Sequence, residues 1–178
     1  MIYSFLNYVM IQRCTICDCS VANLFIPTYG AGNHNSVIAW VSSYAPTRTE
    51  QKKGVYSLDK YLPLTQEFIP FGFNVSNSYF THIIKCRMTR APSELEVVNC
   101  VPNLSAELNK LPHLKIIVLI GNTAFKAFTG MTISDNVNKP IYGKYILIGI
   151  PHPNFIVANN LKYDLSIVKY LHNIIVHR

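Results

Sequence analysis

Four short runs of apolar, mostly β-branched residues constrain this chain more than any other feature. They are Ser36–Val41 (SVIAWV), Tyr79–Ile84 (YFTHII), Lys115–Ile120 (KIIVLI) and Lys144–Ile150 (KYILIGI). Each has strand length, and each is apolar at consecutive rather than alternate positions. A strand that is apolar on both faces must be covered on both faces, and long connections between such strands suit crossovers in a parallel sheet. The expected fold is therefore α/β, a three-layer sandwich with a central four-stranded parallel sheet flanked by helices.

The intervening segments carry helix signals. Ser93 with Glu96 forms a capping box that opens a helix running towards Leu111, which Pro102 is expected to kink or divide. Asn122 to Phe128 is a short helix ending at Gly130, a natural C-terminal cap. In the last segment Leu161, Leu165, Val168, Leu171 and Ile175 recur at helical spacing, with Asp164 near the start and His172, His177 and Arg178 near the end to complement the dipole. The opening MIYSFLNYVM has no basic n-region and no small-residue cleavage site, so it predicts a first helix rather than a signal peptide. No apolar run approaches the ~20 residues that span a bilayer. Without internal repeats or linkers, the whole chain, 1–178, is expected to form one domain.

Composition adds a direction to this frame. Hydrophobic residues make up 49% and charged residues 14%, which excludes a disordered chain. A net charge of +7 favours a polyanionic partner such as DNA, since phosphate contacts release condensed counterions. In parallel sheets, ligands bind beyond the carboxyl ends of the strands. The loops falling there are Ser43–Gly54, Gly121–Thr123 and Pro151–Asn160, and chemistry is sought in them. An abundance of Asn, Ile, Lys and Tyr hints at an AT-rich genome, viral or organellar.

Five cysteines, three of them crowded at Cys14, Cys17 and Cys19, suit a metal site in a reducing intracellular compartment better than disulfides. Cys14-x-x-Cys17 is a two-ligand hook, while Cys86 and Cys100 lie far along the chain and apart from each other. Structural zinc usually takes two close pairs, whereas a cuboidal iron–sulfur cluster accepts a hook plus two separated ligands. Spacing alone leaves both open, beside the plainer reading of Cys86 and Cys100 as buried apolar side chains.

The surroundings of these cysteines are more specific. Tyr79-Phe-Thr-His-Ile-Ile-Lys-Cys-Arg87 resembles the YITNVVKCR segment of the family 4 uracil-DNA glycosylases, the iron–sulfur type of that superfamily. The hook, followed by Tyr29-Gly-Ala-Gly-Asn33, is similar to their C-x-x-C and GEGN elements. Leu119-Ile-Gly-Asn-Thr-Ala124 resembles their LGATA turn, Pro151-His-Pro-Asn154 their HPS or HPA motif, and Cys100-Val-Pro-Asn-Leu104 their C-x-P-x-L. The matches keep their order from Cys14 to Asp164. The resemblance implies a 4Fe–4S cluster on Cys14, Cys17, Cys86 and Cys100, with Cys19 a free thiol beside it.

Base excision hydrolyses an N-glycosidic bond after the base has been flipped from the stack. It calls for a donor aimed at the base oxygen and a group that serves water or the sugar cation. By resemblance His152 is the donor, although a lone loop histidine is otherwise an ordinary surface residue. The first motif, GEAPG in the family, reads Ser43-Tyr44-Ala45-Pro46-Thr47 here, so Tyr44 stands where the glutamate would be. Tyrosine is no anionic base near neutral pH without a large pKa shift. Family 5 members also lack that glutamate, and Glu50 and Asp59 offer substitute carboxylates, or solvated charges. His82 takes the place of the base-reading asparagine, Tyr56 that of the stacking phenylalanine, and Ala45 and Asn122 complete the base-binding set implied. Phe155 and Ile156 would enter the DNA, or else pack under the last helix. Arg48 and Lys52, with Lys53, would touch phosphate, or sit in solvent. Two functions are consistent with these residues: a DNA glycosylase for uracil or another altered base, and a non-cleaving module of the same fold that binds nucleic acid or a protein partner.

Overall fold

The computed structural model describes residues 14, 17, 27–43, 46–53, 76–134, 136 and 139–176. The expected first helix at Met1–Met10, and Cys19, Tyr44, Ala45, Tyr56 and Asp59, lie outside the described residues. In chain order the elements are β1 (Ala31–Gly32), β2 (Ile38–Ser42), α1 (Arg48–Lys53), β3 (Tyr79–His82), α2 (Glu94–Leu108), β4 (Ile116–Ile120), α3 (Asn122–Thr129), β5 (Pro140–Tyr142), β6 (Ile146–Ile150), α4 (Pro153–Ala158) and α5 (Leu165–Val176).

All four apolar runs are strands of one sheet, ordered β1-β3-β2-β4-β6-β5. The inner four pair in parallel, while β1 and β5 add antiparallel edges. The expected four-stranded parallel sheet is thus corrected to a mixed sheet of six. The reason is local. Each edge strand is only two or three residues long, too short to show a period-2 pattern, and Pro140 suits an edge because it has no N–H for a second neighbour.

Alternation sorts the core into two layers. On one face Ile38, Trp40, Phe80, Val118, Ile148 and Ile150 pack with Ile156, Tyr163, Ile167 and Leu171 from the α4–α5 region. On the other, Ala39, Val41, Tyr79, Ile117 and Leu119 pack with Val97, Cys100, Leu104 and Leu108 of α2 and Ala124 and Phe125 of α3. Burying such side chains stabilises the fold by roughly 1.5–3 kcal/mol each. Gly149 makes room for the second layer, since a β-carbon there would stand 2.6 Å from the Phe125 ring.

The helix ends follow the local chemistry. Ser93 and Glu96 form the capping box of α2, reinforced by a paired contact from Arg90 to the Glu96 carboxylate. Pro102 does not divide α2, which runs unbroken for 15 residues, and the proline lies on its exposed side. Gly130, at φ 72°, caps α3 as the sequence implies. Leu161 falls outside the last helix and closes α4 instead: its N–H donates to the Ile156 carbonyl while Asn160 takes the left-handed conformation. Among the described residues no helix is long and apolar enough to cross a membrane.

Candidate active site and cysteine centre

The chain leaves β2 for β3 on one side and resumes at β4 on the other, so the strand order reverses between β2 and β4. Beyond the carboxyl ends of those two strands lies the crevice where open α/β sheets bind ligands. The register sets Ser42 beside His82 and Ile120 beside Ile150. The residues that follow, Ser43, Gly121 and His152, therefore gather at one rim of the sheet.

His152 is held from three directions. It is the N-cap of α4, with Pro153 at the first helical position, and its carbonyl accepts the N–H groups of Phe155 and Ile156 at 2.9 and 3.1 Å. Its own Nδ1 accepts the Asn154 N–H at 3.1 Å. Behind it, Gly121 donates its N–H to the Ile150 carbonyl at 2.8 Å. Gly121 has φ 84° and ψ 162°, a conformation reserved for glycine. A nitrogen that accepts carries no proton, so the neutral ring bears its proton on Nε2 as a hydrogen-bond donor. Half-burial pushes the imidazolium pKa below its ordinary value and favours this neutral form.

His82 is fully buried, and its Nδ1 lies 2.7 Å from Ser42 Oγ. Ser42 was not singled out in the sequence; only a small polar residue closing an apolar strand marks it. Asn122 opens α3, and its side-chain oxygen accepts the Ile133 N–H at 3.0 Å. It lines a cavity of about 390 Å³ between α2 and α3 with Pro92, Val97, Thr123 and Lys126.

Glu50 is buried rather than solvated. Its carboxylate accepts the Thr47 N–H at 2.7 Å and the Thr47 hydroxyl at 2.8 Å, and Thr47 Oγ1 in turn accepts the Glu50 N–H, a reciprocal cap on α1. Arg48, Lys52 and Lys53 are exposed on that helix. The two tip residues expected at DNA are separated by the fold. Ile156 is 8% exposed and belongs to the core, because the helical turn directs it under α5. Phe155 at 54%, with Val157 at 77% and Leu161 at 49%, forms the exposed apolar tip instead.

The cysteine centre lies on the α2 side of the sheet. Among the described residues Cys14, Cys17, Cys86 and Cys100 form no disulfide, and Cys14, Cys86 and Cys100 are buried. Burial, and more weakly the charges of Cys17 and Cys14, push the Cys100 thiol up, while a hydrogen bond from the Lys85 backbone opposes them. Asn103, one turn beyond Cys100, donates to Cys14 Sγ at 3.4 Å. The hook, the segment after β3 and α2 thus meet. Among the described residues no group of three or more His, Cys, Asp or Glu side chains converges to hold a single metal ion. A cuboidal cluster makes a different demand, since each of its four thiolates binds a separate iron, and an all-cysteine donor set fits it.

The family model of the uracil DNA glycosylase superfamily matches residues 30–173. That span takes in the whole sheet, Ser42, His82, Gly121 and His152, and it begins after the Cys14–Cys17 hook. No curated protein matches the chain.

Proposed function

The chain belongs to the uracil DNA glycosylase superfamily, and from that premise we propose that it binds DNA and hydrolyses the N-glycosidic bond of uracil or another altered base. The observation that carries this reading is the placement of His152, N-cap of α4 at the rim of the sheet, with Nδ1 accepting the Asn154 N–H and burial disfavouring its imidazolium form.

In the reaction the bond between the sugar C1′ and the base nitrogen breaks, and its electron pair passes to the base. Water oxygen bonds to C1′, and the proton it sheds balances the anion left on the base. Negative charge gathers on a base oxygen as the bond lengthens, and a preorganised donor lowers that barrier. His152 Nε2–H is the donor. A neutral imidazole is suited to the task because it keeps the proton while stabilising the charge.

By the family correspondence the base-binding roles fall to His82, Tyr56, Ala45 and Asn122, and the water-serving role to the sequence position of Tyr44, with Glu50 the nearest described carboxylate in the chain. Phe155, Arg48 and Lys52 are assigned to DNA. The altered motifs fall in the groups that read the base and serve the water, so uracil itself need not be the preferred base. The four cysteines would hold a 4Fe–4S cluster, which when bound would cross-link the hook, the β3–α2 connection and α2; the zinc alternative finds no support, since no three described ligand side chains converge on one ion. A reducing intracellular compartment suits these unbridged cysteines.

One observation favours a binding module without cleavage: His82 is fully enclosed, with Nδ1 against Ser42. Anaerobically purified protein is incubated with uracil-containing single- and double-stranded oligonucleotides, treated with alkali, and compared with His152→Ala. Strand breakage that falls by about 10²–10³ in the variant establishes the glycosylase. Binding without breakage, across uracil and other modified bases, assigns the chain to recognition alone and removes the enzyme reading.

A further inference from the structure

Beneath the cysteines lies a buried ionic network that the glycosidic chemistry does not use. Lys85 Nζ donates to Glu107 Oε2 at 2.8 Å, with the two side chains 1% and 4% exposed. The same ammonium reaches Thr81 Oγ1 at 2.7 Å. The other carboxylate oxygen of Glu107 accepts the Tyr79 hydroxyl at 3.1 Å and the Gly30 N–H at 3.2 Å. Thr28, two residues before Gly30, donates its N–H to the Lys85 carbonyl at 2.7 Å.

Two of the segments joined here carry thiols. Lys85 immediately precedes Cys86. Glu107 lies seven positions beyond Cys100 on α2, on the same buried face as Leu104. Thr28 to Gly30 follows the Cys14–Cys17 hook, and Tyr29 lies within reach of the charges of both Glu107 and Cys14. Gly30 approaches β3 so closely that a β-carbon there would stand 2.5 Å from the Phe80 carbonyl oxygen. An isolated buried ion pair adds little net stability, because desolvation offsets its attraction. Its effect here is therefore to fix the positions of the elements it joins, two of which carry Cys86 and Cys100.

We propose that the Lys85–Glu107 ion pair is a positioning clamp for Cys86 and Cys100, fixing the two segments that carry them before any cluster is bound. The inference rests on the iron–sulfur reading above and adds to it the residues that hold the ligands in place. Partners that orient metal ligands from behind act in this manner at other metal centres.

The test uses the full chain, reconstituted anaerobically with ferrous iron and sulfide, beside the double variant Lys85→Met/Glu107→Gln. The pair removes both charges together and keeps an acceptor for Gly30 and Tyr79. Cluster loss to a chelator, followed by visible absorption, is expected to be about 10–100-fold faster in the folded variant. Equal rates in two folded proteins overturn the clamp. Hydrogen exchange on the metal-free wild type decides the matter independently, including the case in which the variant does not fold. The Gly30 amide is expected to be protected there, and free exchange at Gly30 overturns the proposal. A wild type that takes up no iron and sulfide, yet protects Gly30, removes the cofactor reading itself and the clamp's role with it.

Discussion

Gly121 and His152 stand back to back at the rim of the sheet: a β-carbon added to the glycine would lie 3.3 Å from that of the histidine. The same glycine has φ 84° and ψ 162°, where side chains are excluded. Gly121→Ala therefore carries two penalties. Backbone strain costs about 1–3 kcal/mol, read as a lowered Tm. The crowded histidine must also shift, so base excision falls further than the loss of folded protein explains. Single-turnover cleavage, measured well below the Tm of the variant, separates the two. An unchanged rate constant would show that the position of His152 does not depend on this contact.

The depressed pKa of His152 has a definite sign. Burial disfavours the imidazolium in the folded state, while the unfolded chain ionises near the ordinary value of about 6.5. As the pH falls through that value the unfolded state takes up a proton that the folded state refuses, so stability present above it is lost below. The donor role gives the matching expectation for rate, which should hold steady above about 6.5 and decline only at lower pH. Titration of the His152 ring by NMR checks both, and a midpoint above the ordinary value would exclude the neutral donor.

Much of this was legible in the sequence, and the reasons differ by element. The inner strands declared themselves because burial on both faces leaves an unbroken apolar run. The capping box of α2 and the Gly130 cap of α3 did so because each rests on local chemistry within a few residues. The edge strands and the Ser42–His82 contact were not legible, since both arise from pairing between distant segments. Glu50 shows the limit from another side. The Thr47–Glu50 spacing is a capping signature, yet in a loop searched for carboxylates it reads equally as surface charge.

Helical geometry divides the α4 tip into a core residue, Ile156, and the exposed Phe155 and Val157. Ile156→Ala should cost about 2–5 kcal/mol, because it empties a core position beside Tyr163 and Ile167. Phe155→Ser and Val157→Ser should leave the stability within about 0.5 kcal/mol of the wild type, as exposed sites do, and weaken binding to duplex DNA. Thermal melts together with fluorescence anisotropy on a labelled duplex distinguish the sets. Unaltered binding by the Phe155 and Val157 variants would remove this tip from the DNA interface.

Ser42 and His82 give the sharpest test of what the base pocket reads. Removing the hydroxyl with Ser42→Ala takes the partner from a buried ring nitrogen, a loss of about 1–3 kcal/mol. At roughly 2–4 °C per kcal/mol, the change is visible in a melt. His82→Asn acts on recognition instead. An amide presents a donor and an acceptor side by side, whereas a neutral imidazole separates them on two nitrogens. If His82 reads the base edge, His82→Asn should move the preference among uracil and other altered bases, with the His152-dependent step retained. A preference that stays fixed while the variant remains folded would place base reading elsewhere and leave the Ser42–His82 pair as part of the core.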